Sequence, residues 1–180
     1  MQTQMLDSLF RIIDLPAREA AKMSQRSPLL PLLYAGSGIA ALALATLIAQ
    51  ALTGARAAPA LAAAVLSVLA VGPGSILAGS YVRLNVSAST LAASLSFGLF
   101  AGGLASIALV PLVAFLSLVD LEGVVRSAAV VLPAIFLVAA STFPARVLAA
   151  LDPSLKARVF SAALGVSLLL AFGARIGLGR

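Results

Sequence analysis

The chain contains no cysteine and no histidine among its 180 residues, and only 10% of its residues are charged. Without cysteine, disulfide bonds and thiolate chemistry are excluded. Without histidine, the chain lacks the commonest general base and the commonest metal ligand. Soluble domains carry about 25% charged residues. A chain with so few charges cannot cover its surface with polar side chains, so much of that surface must face lipid.

Apolar residues are abundant instead and make up 62% of the chain. A helix that rises about 1.5 Å per residue needs about 20 apolar residues to cross a bilayer. Five runs of this kind cover residues 29–52, 60–81, 88–119, 124–143 and 159–178. We therefore predict an all-α fold, a polytopic transmembrane helical bundle over residues 29–180 that follows a cytoplasmic segment over residues 1–28.

The N-terminal segment has the pattern of a surface helix. Three acidic residues interrupt it, Asp7, Asp14 and Glu19, so we predict no secretory signal peptide. The apolar residues at positions 5, 6, 9, 12 and 13 share one helical face, which predicts a short amphipathic helix in the headgroup region. Pro16 suits the first turn of a second short helix. Packing of this segment on the ends of the spans is the alternative, and the sequence favours neither.

A stripe of small residues marks the third run. Its members recur at every fourth position: Thr90, Ser94, Gly98, Gly102 and Ser106. Small residues at this spacing form a helix-packing groove, which allows a second backbone to approach closely. We predict that the partner lies within the same chain, and a similar stripe on the first run is a plausible mate (Ser37, Ala41, Ala45 and Ala49). A homodimer interface is the alternative.

Three places predict helix kinks, because proline removes a backbone donor and clashes with the preceding turn. They are Gly72-Pro73-Gly74 in the second run, Pro111 in the third and Pro133 in the fourth. The third run is longer than a span requires, so we expect it to tilt or to bend at Pro111. No Asp or Glu lies at the middle of a run, which argues against transport coupled to protons or sodium.

The distribution of Lys and Arg predicts the orientation of the chain. Eight lie on the side that holds the N-terminus: Arg11, Arg18, Lys22, Arg26, Arg83, Arg146, Lys156 and Arg158. Four lie on the other side: Arg56, Arg126, Arg175 and Arg180. Cytoplasmic loops carry the excess of basic residues. We predict a cytoplasmic N-terminus and an external or periplasmic C-terminus in an inner membrane, and the abundance of Ala and Arg suits a bacterium. The fifth run is the weakest because Arg175 lies near its end, and if it only lies on the membrane surface the C-terminus is cytoplasmic.

The residue types also limit the classes of function that the chain can have. Serine and threonine hydroxyls have no His or Lys base within the spans, so we predict no catalytic residue, no metal site and no cofactor. The net charge of +6 is spread between the runs and does not predict nucleic-acid binding. We expect a non-enzymatic scaffold, assembly factor or accessory subunit that contacts membrane lipids and other membrane proteins or its own copies. A small oligomeric transporter or channel is the alternative, and it requires a polar path through the bundle.

Two segments carry a family resemblance. Residues 14–20 (DLPAREA) and 27–33 (SPLLPLL) resemble the opening of bacterial Yip-domain proteins. Gly98, Gly102 and Pro111 match the small residues and proline that are common in the third span of that family. The resemblance implies five spans in the inner membrane, with the N-terminus inside. Eukaryotic members bind small GTPases through a long cytoplasmic segment, and with 28 residues there we expect no GTPase partner.

Overall fold

The structure, a computed structural model, describes residues 16–26, 29–54, 56–119 and 122–178. Helices fill nearly all of these ranges. They are α1 (Pro16–Arg26), α2 (Leu29–Thr53), α3 (Ala58–Tyr81), α4 (Ala88–Ala108), α5 (Val110–Leu118), α6 (Glu122–Leu151) and α7 (Leu155–Leu178). The amphipathic stretch predicted over residues 5–13 lies outside the described residues.

Five segments are long and apolar enough to cross a membrane: Leu29–Thr53, Ala58–Tyr81, Ala88–Leu118, Ser127–Leu151 and Leu155–Gly177. The third of these comprises α4 and α5. The predicted all-α fold with five apolar spans is confirmed, and the chain is an integral membrane protein in its architecture. The last segment has 23 residues, which makes it the shortest of the five, and it contains Arg175.

The prolines have different effects on the helices. The third span is interrupted at Leu109, and Pro111 lies in the first turn of α5, where its missing N–H costs no helical hydrogen bond. Pro73 and Pro133 lie inside α3 and α6, whose helical assignment continues through them. The kinks at these two prolines stay predictions.

The fourth span ends later than the sequence suggested. Helix α6 continues past Phe143 to Leu151, so the predicted end of the run at residue 143 was too early and Arg146 lies on this helix. Pro144, which follows Phe143, is fully buried inside α6. Tertiary packing around a buried proline offsets the lost backbone hydrogen bond, which a sequence pattern cannot show.

Helix α4 occupies the centre of the bundle. It packs mainly against α2 on one side and α6 on another, whereas α3 packs mainly against α7, which also borders α6. The principal core contains side chains from all five spans. Among its fully buried members are Leu42 of α2, Ala64 of α3, Phe136 of α6 and Leu168 of α7. Helix α4 is therefore enclosed mainly by α2 and α6, and α6 is the helix that packs against each of the other four spans.

Helix α1 packs on this bundle. Its residue Ala20 is fully buried in a cluster with Phe97 of α4 and Val147 of α6. The opposite side carries an ion pair in which Nζ of Lys22 lies 2.9 Å from Oε1 of Glu19. For residues 16–26 the structure thus shows the packing alternative, with Arg18 exposed and the Glu19–Lys22 pair partly exposed.

A hydrogen-bonded clamp joins two loops at one end of the bundle. Oδ2 of Asp152 accepts a hydrogen bond of 2.9 Å from the backbone N–H of Asn85, and Oδ1 accepts one of 3.2 Å from the backbone N–H of Ser154. The bond from Asn85, followed by those from Ser154, lowers the pKa of the Asp152 carboxyl. We call these three residues the loop clamp. It ties the loop between α3 and α4 to the start of α7, so both loops lie on the same side.

Candidate functional site

The predicted small-residue stripe of α4 lies entirely on buried surface. An added Cβ at Gly98 would lie 2.8 Å from Cα of Ala140, and one at Gly102 would lie 2.7 Å from the carbonyl oxygen of Phe136. Both neighbours belong to α6. The stripe therefore packs within the chain, but the suggested mate on α2 was wrong for these two glycines.

Helix α2 meets α4 through a different pair of glycines. A Cβ at Gly38 would collide with the backbone of Leu99, and a Cβ at Gly103 would collide with the backbone of Gly38. Sequence reasoning missed this crossing because it followed the stripe that begins at Ser37. The side chain of Ser37 is exposed, whereas the neighbouring Gly38 is buried. The doublet of Gly102 and Gly103 was the available signal, since adjacent helical residues face different neighbours.

The buried hydroxyl groups serve the helices themselves. Ser94 donates to the carbonyl of Leu91, and Ser106 donates to that of Gly102. Ser106 also reaches the carbonyl of Leu132 on α6 at 3.4 Å, a long contact between helices. Every buried side-chain polar atom among the described residues has a hydrogen-bond partner. These hydroxyls stabilise packing and leave no free polar group for a buried ligand.

A cavity opens at the side of the bundle, where α3 contacts α2 and α4 only sparsely. Its volume is about 460 Å³, within the roughly 300–1,000 Å³ typical of small-molecule pockets. We call it the lateral cavity. Three helices line it: α2 (Pro31, Leu32, Ala35), α3 (Val68, Leu69, Gly72, Pro73, Ile76) and α4 (Ser89, Ala92, Leu95, Ser96, Leu99).

The lining of the lateral cavity is apolar apart from two serines. Ser96 donates to the carbonyl of Ala92 in its own helix, and Ser89 shares a hydrogen bond with Ser87. Gly72 and Pro73, two of the predicted kink residues, contribute directly to the wall. The cavity can hold apolar groups, and its lining offers no charged side chain for an ion.

The other predicted kink residues lie elsewhere. No heavy atom outside its own helix lies within 4 Å of a Cβ added at Gly74. Pro111 is exposed, and Pro133 is fully buried in α6. Of the predicted kink residues, Gly72 and Pro73 therefore line the lateral cavity, and the three predicted kinks do not converge on it.

Within the described spans, Arg175 is a charged residue that contacts the interior of the bundle. Arg175 is partly buried in α7, and its Nη1 donates to the carbonyl of Ala171 at 3.0 Å and to Oγ of Ser67 at 3.4 Å. Ser67 is fully buried on α3 and donates in turn to the carbonyl of Ala63. Within the described part of the chain no carboxylate pairs with Arg175. The sequence placed Arg175 at a span end, where an outward direction is the usual one.

Comparison with known proteins gives no family: the chain matches no protein-family model, no curated protein and no solved structure. The lateral cavity and Arg175 are the features of the described residues that bear on function.

Proposed function

We propose that this integral membrane protein is a non-enzymatic scaffold, assembly factor or accessory subunit, and that its lateral cavity receives a transmembrane helix of a partner protein. The observation that carries the proposal is the opening between α3 and the α2–α4 pair, at the level of the spans. A transmembrane helix satisfies its own backbone hydrogen bonds, so it needs only an apolar surface to pack on.

The size of the lining residues favours a helix over a lipid chain. Ala35, Gly72 and Ala92 come from three different helices, and all are small. Association of helices in a bilayer depends on close backbone approach at small residues, because lipid tails are as apolar as the side chains they would replace. A lipid chain gains nothing from this arrangement, whereas a partner helix can insert a ridge of side chains.

The proposed location is the cytoplasmic membrane of a bacterium, with the N-terminus inside and the C-terminus outside. Five spans put the two ends on opposite sides, and the loop clamp puts the loops at Asn85 and Asp152 together. The exposed Arg83, Lys156 and Arg158 lie at that end, in agreement with the positive-inside rule. Membership of the Yip-domain family is part of the same proposal, and it fits five spans.

A small oligomeric transporter or channel is the second candidate. The observation in its favour is that Gly72 and Pro73, which weaken α3, border the lateral cavity. Conduction needs polar groups along a path, and the lining offers two serine hydroxyls. Flux of ions or small solutes in proteoliposomes tests this candidate, and a flux above that of empty vesicles would favour it over the scaffold.

Site-directed photocrosslinking tests the proposed function. A photoreactive residue replaces Leu69, which lines the cavity and is 61% exposed, or Leu66, which is 52% exposed and lies outside the lining. The first position should yield one discrete protein adduct in native membranes, and the second should not. Ala92→Leu fills the cavity from α4 and should abolish that adduct, while Ala70→Leu, at an exposed position of α3, should leave it unchanged.

Three results would contradict the proposal. One is an adduct with lipid alone at Leu69, which would make an acyl chain the occupant. Another is an equal pattern of protein adducts at Leu69 and Leu66, which would indicate random collision. The third is a protein adduct that survives Ala92→Leu, which would place the partner outside the cavity.

A further inference from the structure

The guanidinium of Arg175 lies deep along the neighbouring helix. Its contact Ser67 is nine residues after the start of α3 and fourteen before its end, which corresponds to roughly 13 Å and 21 Å at 1.5 Å per residue. If α3 is centred on a hydrocarbon core of about 30 Å, this places the charge about 10 Å inside the hydrocarbon edge.

The direction of the side chain increases this depth. The bond to the carbonyl of Ala171, four residues earlier in α7, turns Arg175 back along its helix, away from the nearby helix end. Helices α3 and α7 are antiparallel, since Phe160 near the start of α7 lies beside Gly79 near the end of α3. The charge therefore points along α7 toward the middle of the span, whereas arginines near span ends usually turn to the interface.

The hydrogen bonds of Arg175 to described residues use Nη1 alone. A guanidinium has five N–H donors in a planar fork that matches a carboxylate. Charged residues inside a membrane pair with one another or with backbone carbonyls, and they mark functional sites. Arg175 is also partly exposed, so a group from outside the chain can reach it.

We propose that Arg175 binds a carboxylate on a transmembrane helix of the partner, at the depth of Ser67 on the α3–α7 side of the bundle. This inference rests on the proposed function, because it names the chemistry of the same partner. The site is separate from the lateral cavity, whose lining includes neither Arg175 nor Ser67. A lipid phosphate is disfavoured because headgroups lie outside the hydrocarbon, while the side chain points inward.

Glu122 is one acidic residue of the chain that we consider as an internal carboxylate partner of Arg175. It begins α6, and Ser141 of α6 lies beside Gly165 of α7. With antiparallel helices in this register, the start of α6 is displaced toward the membrane surface from Arg175 by more than two turns. The guanidinium of Arg175 points toward the middle of the span, away from the start of α6. The variant Glu122→Gln should therefore leave the binding of a partner carboxylate to Arg175 unchanged.

The test uses the full chain in phosphatidylcholine vesicles and a synthetic transmembrane helix of leucine and alanine as the probe. The probe carries an acceptor dye and has Asp, Asn or Leu at its centre. The protein carries a donor dye on the cysteine introduced by Tyr81→Cys, which is the only thiol because the chain contains no other cysteine. Energy transfer reports association. We expect the Asp probe to associate about tenfold more strongly than the Leu probe, with the Asn probe between them.

The variants separate a binding role from a structural one. Arg175→Leu should remove the preference for Asp, and Arg175→Lys should retain part of it. Ser67→Ala removes the contact to α3 but keeps the cation, so the preference should remain. Arg158→Leu, at an exposed position near the other end of α7, is the matched control and should change nothing. Circular dichroism verifies that each variant keeps its helix content.

Several outcomes would overturn the inference. Equal association of the Asp and Leu probes with the unmodified chain is one, and persistence of the preference in Arg175→Leu is another. Loss of the preference when phosphatidylglycerol is added would assign Arg175 to lipid phosphate. A Leu69 adduct that is unaffected by Arg175→Leu would likewise remove Arg175 from the partner site, while the proposed function would survive. Its own failure would appear as absence of the Leu69 adduct in the unmodified chain.

Discussion

Helices α4 and α3 both contain glycines in an apolar bundle, but they use them in opposite ways. On α4, Gly98, Gly102 and Gly103 lie at points where another backbone leaves no room for a Cβ. On α3, a Cβ added at Gly72 would meet only a methyl group of Leu95, at 3.2 Å, and Gly72 borders the lateral cavity. Glycine therefore marks a tight seam at these three positions of α4 and an opening at Gly72 of α3.

The difference between α4 and α3 indicates which part of the bundle can accommodate added volume. Backbone contacts have no rotamers to change, so the seams of α4 resist any added volume. The flank of α3 contacts side chains that can move and a cavity that can be filled. We expect α4 to hold the structure together and α3 to be the helix at which binding occurs.

The largest expected effect comes from breaking the seam between α2 and α4. Gly38→Val puts two methyl groups against the backbone of Leu99, and the free energy of unfolding should fall by about 3 kcal/mol. Gly36→Val, two residues earlier on the same helix, meets no neighbour within 4 Å and should have little effect. Denaturant unfolding in mixed micelles, followed by circular dichroism, measures both. Equal losses would show that Gly38 is not at a backbone crossing.

A smaller effect should distinguish α4 from α3 with the same substitution. Gly102→Ala meets the backbone of Phe136 and should destabilise the protein by about 2 kcal/mol. Gly72→Ala meets the flexible end of Leu95, and the better helix propensity of alanine offsets part of the strain, so the change should stay below about 1 kcal/mol. The comparison fails if Gly72→Ala proves as harmful as Gly102→Ala under the same unfolding conditions.

Removing one hydroxyl from the α4–α6 seam should cost less. Ser106→Ala deletes the long contact to the carbonyl of Leu132, and hydrogen bonds between transmembrane helices contribute about 0.6 kcal/mol on average. Ser117→Ala on α5 removes a hydroxyl that bonds only within its own helix and serves as the control. A loss at Ser106 no larger than that at Ser117 would show that backbone proximity alone holds this seam.

The loop clamp should give the smallest effect, one that depends on pH. The pKa of Asp152 is lowered in the folded protein, so its contribution to stability is present above the ordinary carboxyl pKa of about 3.9 and is lost as the pH falls below it. Asp152→Asn should therefore lower the unfolding midpoint at pH 7, and its difference from the unmodified chain should shrink as the pH falls below about 3.9. A constant difference across this range would mean that the charge of Asp152 is irrelevant to the clamp.

Particular residues show how far sequence reasoning reached. The spacing of Thr90, Ser94, Gly98, Gly102 and Ser106 indicated one close-packing face, because periodicity along a helix defines its faces. It did not indicate that α6 is the neighbour or that Gly103 meets Gly38 on the adjacent face. Arg175 was assigned to a span end from its position, and its inward direction depends on Ala171 and on Ser67, a residue 108 positions away.

The sequence by itself determined that this chain is an all-α membrane protein with five apolar spans, because hydrophobic length and helical period are properties of one segment at a time. Only the tertiary structure decided which glycine faces which helix, where α3 leaves a lateral cavity and which way Arg175 points. Those features depend on how the surfaces of distant helices fit together. Between helices that are all apolar, close packing of shapes selects the neighbour, and hydrophobicity does not.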